Sequence, residues 1–522
     1  MFKRLIAALL LTASTAHAQS VTMAMSSAPT SVDPHYHTFA PNETLDIHIY
    51  DRLVERDPQN NLIPGLALSW QLIDDGTWEF KLRPGVKFHD GSEFTAADVA
   101  YTFARVPTVV NSPGSFSIYT KTVVAMETPD PYTVRMKTSG IYPLLPVDLT
   151  NVFIIPKNLG PAPATEDFNS GKNTAGTGAF RMTSYKSGER VELERNEAWW
   201  GPKPHWQHLT IRMIPNDGAR TAALLAGDVQ LIEFVPTADA TRLRTDTRVS
   251  LAEIASLRLI YLWLDRSRTG PTPFVTGPNG ETLATNPLND LRVRQALSMA
   301  INRPAIVDRV MEGAAYAAGQ FVGPGTWGHA PGLNPPTYDV AKAKALLAEA
   351  GYPNGFRITL HGPNDRYVND GKIIQAVGQM WSRIGVQTTV DAITWPNYIA
   401  RANKQDFSAY LLGWGFSEAT NPLRSLVYTF SPAKGWGAVN RGRYSNPGFD
   451  ALVDRLMTTA DEAARETLTI AANRMAMADV ALIPLHLQKN IWAMRAGLSF
   501  VPRADEDTRV MELRPVAAKP AP

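Results

Sequence analysis

Residues 77–91 read TWEFKLRPGVKFHDG, and this stretch indicates the architecture of the module around it. Apolar and charged side chains alternate over 77–83, which predicts a half-buried strand. Pro84-Gly85 then turns the chain, and a second short strand is expected over 86–88. Two short strands joined by a turn are therefore predicted here.

A helix is expected directly after this stretch. Thr95 is a suitable N-cap, and Val99, Phe103 and Val106 fall on one face at helical spacing. Pro107 ends the helix because proline lacks the amide hydrogen that the helix needs. Strands followed by a helix, without any repeat, predict an α+β module.

Further along the chain, helices alternate with strands. An alanine- and leucine-rich helix is expected after Asn216 or Asp217, with Gly227 as its end and a strand over 229–235. A second helix over 372–384 precedes a strand over 386–393. Such alternation favours an α/β domain with a mixed sheet.

Two more helices are indicated by their first residues. Asp290 caps one predicted helix, and Asp339 caps another that ends before Gly351. These helices lie between the two helix-strand pairs, so the α/β character extends over most of the chain.

The first residues resemble an export signal. Positive charge over 1–4, an apolar run over 5–11 and Ala16-His17-Ala18 predict a signal peptide that is cleaved after Ala18. No later segment is long and apolar enough to predict a membrane span. The chain contains no cysteine, which excludes disulfides and a lipid-bearing cysteine after the leader.

Charge and histidine content argue against several classes of protein. The 51 basic and 49 acidic residues give a formal charge of +2, which gives no electrostatic support for nucleic-acid binding. His35 with His37, and His205 with His208, form two close pairs, but neither has further ligands at metal-site spacing. We predict neither a metal nor a cofactor.

The segment GWGFSEATNPL, residues 413–423, allows two interpretations. Gly-Phe-Ser-Glu-Ala departs in its last residue from the Gly-x-Ser-x-Gly turn of serine hydrolases, with Ser417 as nucleophile. Asp450 or Asp454, followed by His486, would supply the usual order of the triad. However, Asn421-Pro422 interrupts the helix that must follow the serine, so a polar loop is favoured.

The second interpretation makes the segment a pocket wall. Trp414 lies between two glycines, and Trp395 is followed by loop-forming residues. Aromatic side chains in loops present flat apolar area to a ligand at a small entropic cost, while polar neighbours orient it. We therefore expect Trp414 and Trp395 to line a binding pocket.

A long match to a known family then becomes visible. The stretches 66–70, 74–91 and 95–99 closely resemble the signature of the dipeptide- and oligopeptide-binding proteins that serve ABC importers. Further similar segments extend over nearly the whole mature chain: Ser31–His35, Gly176–Phe180, Asn196–Gly201, Arg292–Ile301 and Gly413–Gly415.

The resemblance implies an α/β fold of two lobes with mixed sheets, a two-crossing hinge and an extra α+β subdomain inserted in lobe one. The expected boundaries are a signal peptide over 1–18, lobe one over 19–60, 176–268 and 487–515, the insert over 61–175, lobe two over 269–486, and a frayed tail over 516–522.

The resemblance also indicates ligand-binding residues. Peptide-binding members place an aspartate three residues after the tryptophan of the Gly-Trp motif, where Ser417 stands in this chain. Glu418 is the nearest replacement for that carboxylate. Arg366 and Tyr367 resemble the arginine-and-tyrosine ligand loop of the family, and Arg366 is expected to grip a ligand carboxylate.

The implied function is capture rather than catalysis. The resemblance predicts a monomeric periplasmic receptor that closes on a small peptide or peptide-like solute and delivers it to an ABC permease with its ATPase subunits. A non-peptide solute such as glutathione, an opine, a glycoside or a chelated metal is the alternative. A secreted serine hydrolase that uses Ser417 is a second, more remote alternative.

Overall fold

The structure is a computed structural model that describes residues 19–161, 163–364 and 366–516. The predicted signal peptide over 1–18 lies outside the described residues, as does the predicted tail from 517 onward.

The described residues form twenty strands. They are β1 Ser20–Met25, β2 Val54–Arg56, β3 Leu62–Pro64, β4 Ala67–Asp74, β5 Thr77–Leu82, β6 Val123–Asp130, β7 Thr133–Thr138, β8 Phe180–Lys186, β9 Arg190–Arg195, β10 His208–Met213, β11 Leu231–Ile232, β12 Val249–Leu264, β13 Val275–Thr276, β14 Ala315–Ala317, β15 Arg357–Pro363, β16 Gln387–Ile393, β17 Ala409–Gly415, β18 Ile483–Arg495, β19 Leu498–Ser499 and β20 Arg514–Pro515.

They also form fifteen α-helices, of which several are single turns. They are α1 Ala40–Ile49, α2 Ala96–Arg105, α3 Ser117–Thr120, α4 Leu145–Asp148, α5 Thr165–Asn169, α6 Asp217–Ala226, α7 Thr237–Leu243, α8 Leu291–Met299, α9 Arg303–Ala305, α10 Val340–Glu349, α11 Asp370–Arg383, α12 Trp395–Asn403, α13 Thr420–Pro422, α14 Pro447–Met457 and α15 Glu462–Ala478.

One mixed sheet runs through both lobes. Its strand order is β13-β15-β17-β12-β18-β11-β1-β10-β9-β8, with β14 paired to β18 and β16 to β15. With the boundaries expected from the sequence, β1 and β8–β11 fall in lobe one, and β13, β15, β16 and β17 fall in lobe two. The predicted two-lobe α/β fold with mixed sheets is confirmed.

Two long antiparallel strands connect the lobes. β12 pairs with β18 along most of its length and with β17 from Arg258 onward, so both strands pass from lobe one into lobe two. Their register shifts between Ala255 and Leu259. Because a bulge breaks the ladder and bends the strand, this point is where the crossing can flex. The predicted two-crossing hinge is present.

The insert has its own four-stranded sheet with the order β4-β5-β7-β6. β5 confirms the strand predicted over 77–83, and Phe80 and Leu82 are buried as expected. Glu79 is buried as well, because its carboxylate is paired with Arg135 and Lys81.

The second strand predicted over 86–88 is wrong. The chain there forms a tight loop whose backbone bonds run from Phe94 N to Val86 O and from Phe88 N to Ser92 O. Among the described residues it has a single isolated bridge, from Lys87 to Glu93. The loop closes on itself, so this segment has no neighbouring strand with which to extend a ladder.

The strand predicted over 229–235 is shorter than expected. β11 contains two residues, because the amides of Asp228 and Val229 fold back to the Ala223 carbonyl and Phe234 adopts a φ of 48°. The left-handed conformation of Phe234 ends the strand, since extended backbone cannot pass through it.

The predicted helix ends are confirmed in detail. Thr95 and Asp98 form a capping box at α2, and the Asn216 side chain accepts the Ala219 amide at α6. Asp290 and Asp339 cap α8 and α10 through their side chains. The second helix-strand pair appears as α11 and β16.

Candidate functional site

Strand β17 pairs with the crossing strand β12 and, with the residues packed on it, forms what we call the wall of the candidate site. Trp414 lies opposite Leu259 of β12, and 40% of its surface is exposed. A side chain at Gly413 would place its Cβ 2.5 Å from Ile260 Cδ1, so any larger residue would have to displace the Ile260 side chain. The Tyr367 hydroxyl donates to the Gly413 carbonyl at 3.0 Å. The structure thus places Tyr367 against Gly413, the residue before Trp414.

Arg366 and Trp395 belong to the same wall. The Arg366 guanidinium carbon lies 5.4 Å from the Tyr367 ring centre and 5.3 Å from that of Trp395. These distances allow cation–π contact. The backbone amides of Arg366 and Tyr367 both donate to Asp370 at 2.9 Å, which fixes the loop.

The Arg366 side chain itself carries an available charge. Arg366 is exposed, and no carboxylate of residues 19–161, 163–364 or 366–516 lies within salt-bridge distance of it. Asp365, the other neighbour considered from the sequence, lies outside the described residues. A guanidinium held between aromatic rings can bind a carboxylate in bidentate fashion.

Ser417 and Glu418 have different surroundings. Ser417 is half-buried, and its carbonyl accepts a hydrogen bond from the Asn60 side chain across the gap. Glu418 is buried, and its two carboxylate oxygens accept the amides of Thr420 and Asn421, each at 2.9 Å. Burial raises the pKa of Glu418. Its carboxylate is therefore engaged as the cap of α13.

The residues of the hydrolase alternative do not meet. His486 lies inside β18, is fully buried, and neither ring nitrogen has a hydrogen-bond partner in the described structure. Burial lowers its pKa to about 3. Asp450 accepts the Thr429 amide, and Asp454 is paired with Lys434. A serine nucleophile needs a base within hydrogen-bond reach, and His486 does not supply one to Ser417.

A polar cavity of about 100 Å³ lies on the opposite side, where lobe one meets the insert. It is lined by His37, Thr38, Phe39, Ala40, Glu43, Asp46, Phe116, Tyr119, Asn151 and Phe153. Asp46 is buried, and its Oδ1 has no partner among the described residues. Burial raises the pKa of Asp46 well above the ordinary value for an aspartate. A buried carboxyl oxygen without a partner can form a hydrogen bond with a bound solute.

Hydrogen bonds cross from lobe one or the insert to lobe two. They join Asn60 to the Ser417 carbonyl, Arg424 to the Tyr142 hydroxyl at 3.0 Å, and Asn369 to the Thr237 hydroxyl at 3.0 Å. These three hydrogen bonds join lobe two to lobe one and to the insert.

Sequence reasoning missed the cavity wall and one charged pair beside the hinge. Arg258 donates to Glu506 at 2.8 and 3.1 Å, and Ser256 donates to the same carboxylate. These contacts tie the crossing strand to the C-terminal segment. The sequence offered one clue to the cavity. Residues 37–40, which line it, follow closely on Ser31–His35, one of the segments that resemble the family.

Two further observations concern metals and membranes. Within the described residues, no three histidine, aspartate or glutamate side chains group together as a metal site would require. Helices in the same part of the chain are all too short or too polar to span a bilayer.

Comparison with known proteins identifies the class of site. Residues 61–437 match the family described as bacterial extracellular solute-binding proteins, family 5 middle. The dipeptide-binding protein of Escherichia coli (strain K12) is 28% identical over 488 residues, which cover 87% of each chain. Heme-binding protein A of Haemophilus influenzae is 29% identical over 451 residues, or 80% of this chain and 78% of that one.

A solved structure agrees with the fold. It is the ABC transporter-associated periplasmic binding protein DppA from Helicobacter pylori in complex with the peptide STSA. Its TM-score is 0.76 at 23% identity, and the match covers 95% of this chain and 98% of that one. The mixed sheet, the two-strand hinge and the family match agree: the chain belongs to the bacterial extracellular solute-binding proteins of family 5.

Proposed function

We propose that this receptor captures a small peptide or peptide-like solute between its lobes. The observation that supports it most is Arg366, an exposed guanidinium beside the aromatic rings of Tyr367 and Trp395. The carboxylate of a short peptide would fit this charge. The names of the dipeptide-binding relative and of the peptide-bound structure support the same class of solute.

A solute without a free ammonium group is the second candidate. The position of the family aspartate is taken by Ser417, which has no charge, and the Glu418 carboxylate already caps α13. A buried ammonium without a carboxylate partner is costly. Relatives named for heme and for glutathione belong to the same set of matches. Mass spectrometry of the solute that co-purifies with the protein distinguishes the two candidates.

Alanine variants test the wall itself. Trp414→Ala and Arg366→Ala are each expected to weaken binding of the identified solute by about tenfold or more, without lowering the unfolding temperature. Arg383→Ala, at the exposed far end of α11, is the matched control. Isothermal titration calorimetry that finds wild-type affinity in both wall variants would reject this site.

The remaining parts of the proposal concern the cell. We expect cleavage after Ala18, a periplasmic location, a monomeric receptor, and delivery of the solute to an ABC permease with its ATPase subunits. The lobe boundaries expected from the sequence belong to the proposal as well. We also propose that the protein is not an enzyme: hydrolysis of simple esters that disappears in Ser417→Ala would contradict this.

A further inference from the structure

The insert is firmly fixed to lobe one. Arg105 of α2 donates to both carboxylate oxygens of Asp33, at 2.6 and 2.5 Å, and both side chains are buried. The Thr165 hydroxyl donates to the same carboxylate at 2.7 Å. We call the Asp33–Arg105 pair the inner joint. Because breaking a buried ion pair is costly, the insert must move together with lobe one.

A second part of the insert reaches lobe two. Leu144 is 4% exposed and packs in a hydrophobic cluster whose other buried members, among them Leu423 and Tyr428, belong to lobe two or to the crossing strands. Tyr142 and Val147 pack partly against the same cluster. Residues 142–148 therefore bridge the gap between the lobes.

The Tyr142 hydroxyl sits between two charged groups. It donates to Asp148 Oδ2 at 2.6 Å and accepts from Arg424 Nη1 of lobe two at 3.0 Å. The Trp78 indole donates to the Tyr142 carbonyl at 3.0 Å, which holds the segment on the insert sheet. We call Tyr142, Leu144, Asp148 and Arg424 the latch. It combines one apolar anchor with one polar bridge.

Arg424 follows directly on the wall of the proposed binding site. The chain leaves β17 after Gly415, passes Ser417 and the capping Glu418, and enters the short helical segment that carries Arg424. This connection spans only residues 416–419. A shift of the wall on solute binding therefore moves Arg424 with it.

We propose that the latch forms when the lobes close, so that Tyr142 and Arg424 set the affinity for any captured solute without touching it. The inference rests on the proposed function, because closure around a solute is what the latch would stabilise. A contact made only in the closed form adds its free energy to the binding of every solute alike. Tyr142 and Arg424 are thus positioning residues.

Distances between labels test the latch without any solute. The chain has no cysteine, so Asp75→Cys on the insert and Lys404→Cys on lobe two accept spin labels selectively. Pulsed electron paramagnetic resonance then gives the populations of short and long distances. Tyr142→Phe removes the bridging hydroxyl and is expected to lower the ratio of closed to open molecules about three- to tenfold.

Tyr132→Phe is the matched control, since the Tyr132 hydroxyl donates to Glu93 inside the insert. It is expected to leave the distances unchanged. Arg424→Gln should act like Tyr142→Phe, and the double variant should be no more open than either single one. Identical distances in Tyr142→Phe, Arg424→Gln and the wild type would overturn the proposal.

The same measurement separates this inference from the proposed function. If labelled distances respond to Tyr142→Phe as expected but no peptide or co-purified solute binds, the latch stands and the proposed solute class fails. If solute binds normally and the label distances are the same in Tyr142→Phe, Arg424→Gln and the wild type, the receptor function is supported and the latch is contradicted.

Discussion

The insert has two contacts of different character, the inner joint to lobe one and the latch to lobe two. The inner joint is a bidentate ion pair between Asp33 and Arg105, and both side chains are buried. Burial opposes ionisation of Asp33, but the Arg105 guanidinium outweighs it and lowers the pKa of that carboxyl. The latch has one hydroxyl between a carboxylate and a guanidinium, together with one leucine.

The difference indicates which contact can open. Separating Asp33 from Arg105 would leave an uncompensated charge in the interior, which costs several kcal/mol. Separating Tyr142 from Arg424 exposes both groups to water, which replaces the hydrogen bond at small net cost. A closing receptor needs both kinds of contact. The inner joint keeps the insert attached to lobe one while the lobes move, and the latch breaks and forms again each time the receptor opens and closes.

Breaking the inner joint should have the largest effect. Arg105→Ala leaves Asp33 buried without its partner, and the free energy of unfolding is expected to fall by about 3–5 kcal/mol. Arg181→Ala removes an exposed ion pair with Glu194 and is expected to cost far less. Urea unfolding followed by circular dichroism compares the two variants. Equal losses in both would show that the inner joint is no stronger than a surface pair.

Two adjacent leucines sharpen the comparison. Leu144 packs in the lobe-two cluster, whereas Leu145 is fully buried in the core of the insert. Leu144→Ala should lower the closed fraction roughly tenfold or more, since truncation of a buried leucine costs about 2 kcal/mol or more. Leu145→Ala should lower the unfolding temperature and leave the ratio of closed to open molecules unchanged.

The spin-labelled protein that carries Asp75→Cys and Lys404→Cys reports both results when thermal unfolding is measured on the same samples. A closed fraction that falls equally in Leu144→Ala and Leu145→Ala would mean that the segment acts through the stability of the insert. The latch would then lose its role in closure.

Local features of this fold were accessible from the sequence because neighbouring residues determine them. The caps Thr95, Asn216, Asp290 and Asp339 each act within two or three residues along the chain. The short strand over 86–88 failed for a complementary reason: its alternation was correct, but a strand needs a partner, and that partner is a property of the whole sheet.

The candidate site could be predicted only in part from the sequence, because its contacts join residues that are far apart along the chain. Trp414 was found as an aromatic side chain between two glycines and Arg366 through its resemblance to a family pattern, and their contact with a solute stays a prediction. Tyr142 and Arg424 are 282 residues apart, so no local pattern joins them. Glu418 shows that a residue type alone does not identify a ligand contact. Its charge suggested such a contact, yet its carboxylate oxygens accept the backbone amides of Thr420 and Asn421.

The smallest expected effect concerns the pH dependence of the latch. Burial raises the pKa of Asp148 to about 6, against the opposing influence of Arg424 and Tyr142. In an open form water reaches the carboxyl, and its pKa falls toward the ordinary value of about 3.9. Closing therefore takes up a proton, and the closed form should be favoured at about pH 5 and progressively lost as the pH rises through about 6.

Asp148→Asn tests this because its amide does not titrate. The groups that face Asp148 are Tyr142, Arg424, Glu418, Arg56 and Tyr119. The wild-type ratio of closed to open molecules should change about five- to tenfold between about pH 5 and about pH 7.5, whereas Asp148→Asn should be nearly flat. Label distances across this range measure both slopes. An unchanged slope in Asp148→Asn would place the titrating group elsewhere, and the latch would then act through Leu144 and the Tyr142–Arg424 bond alone.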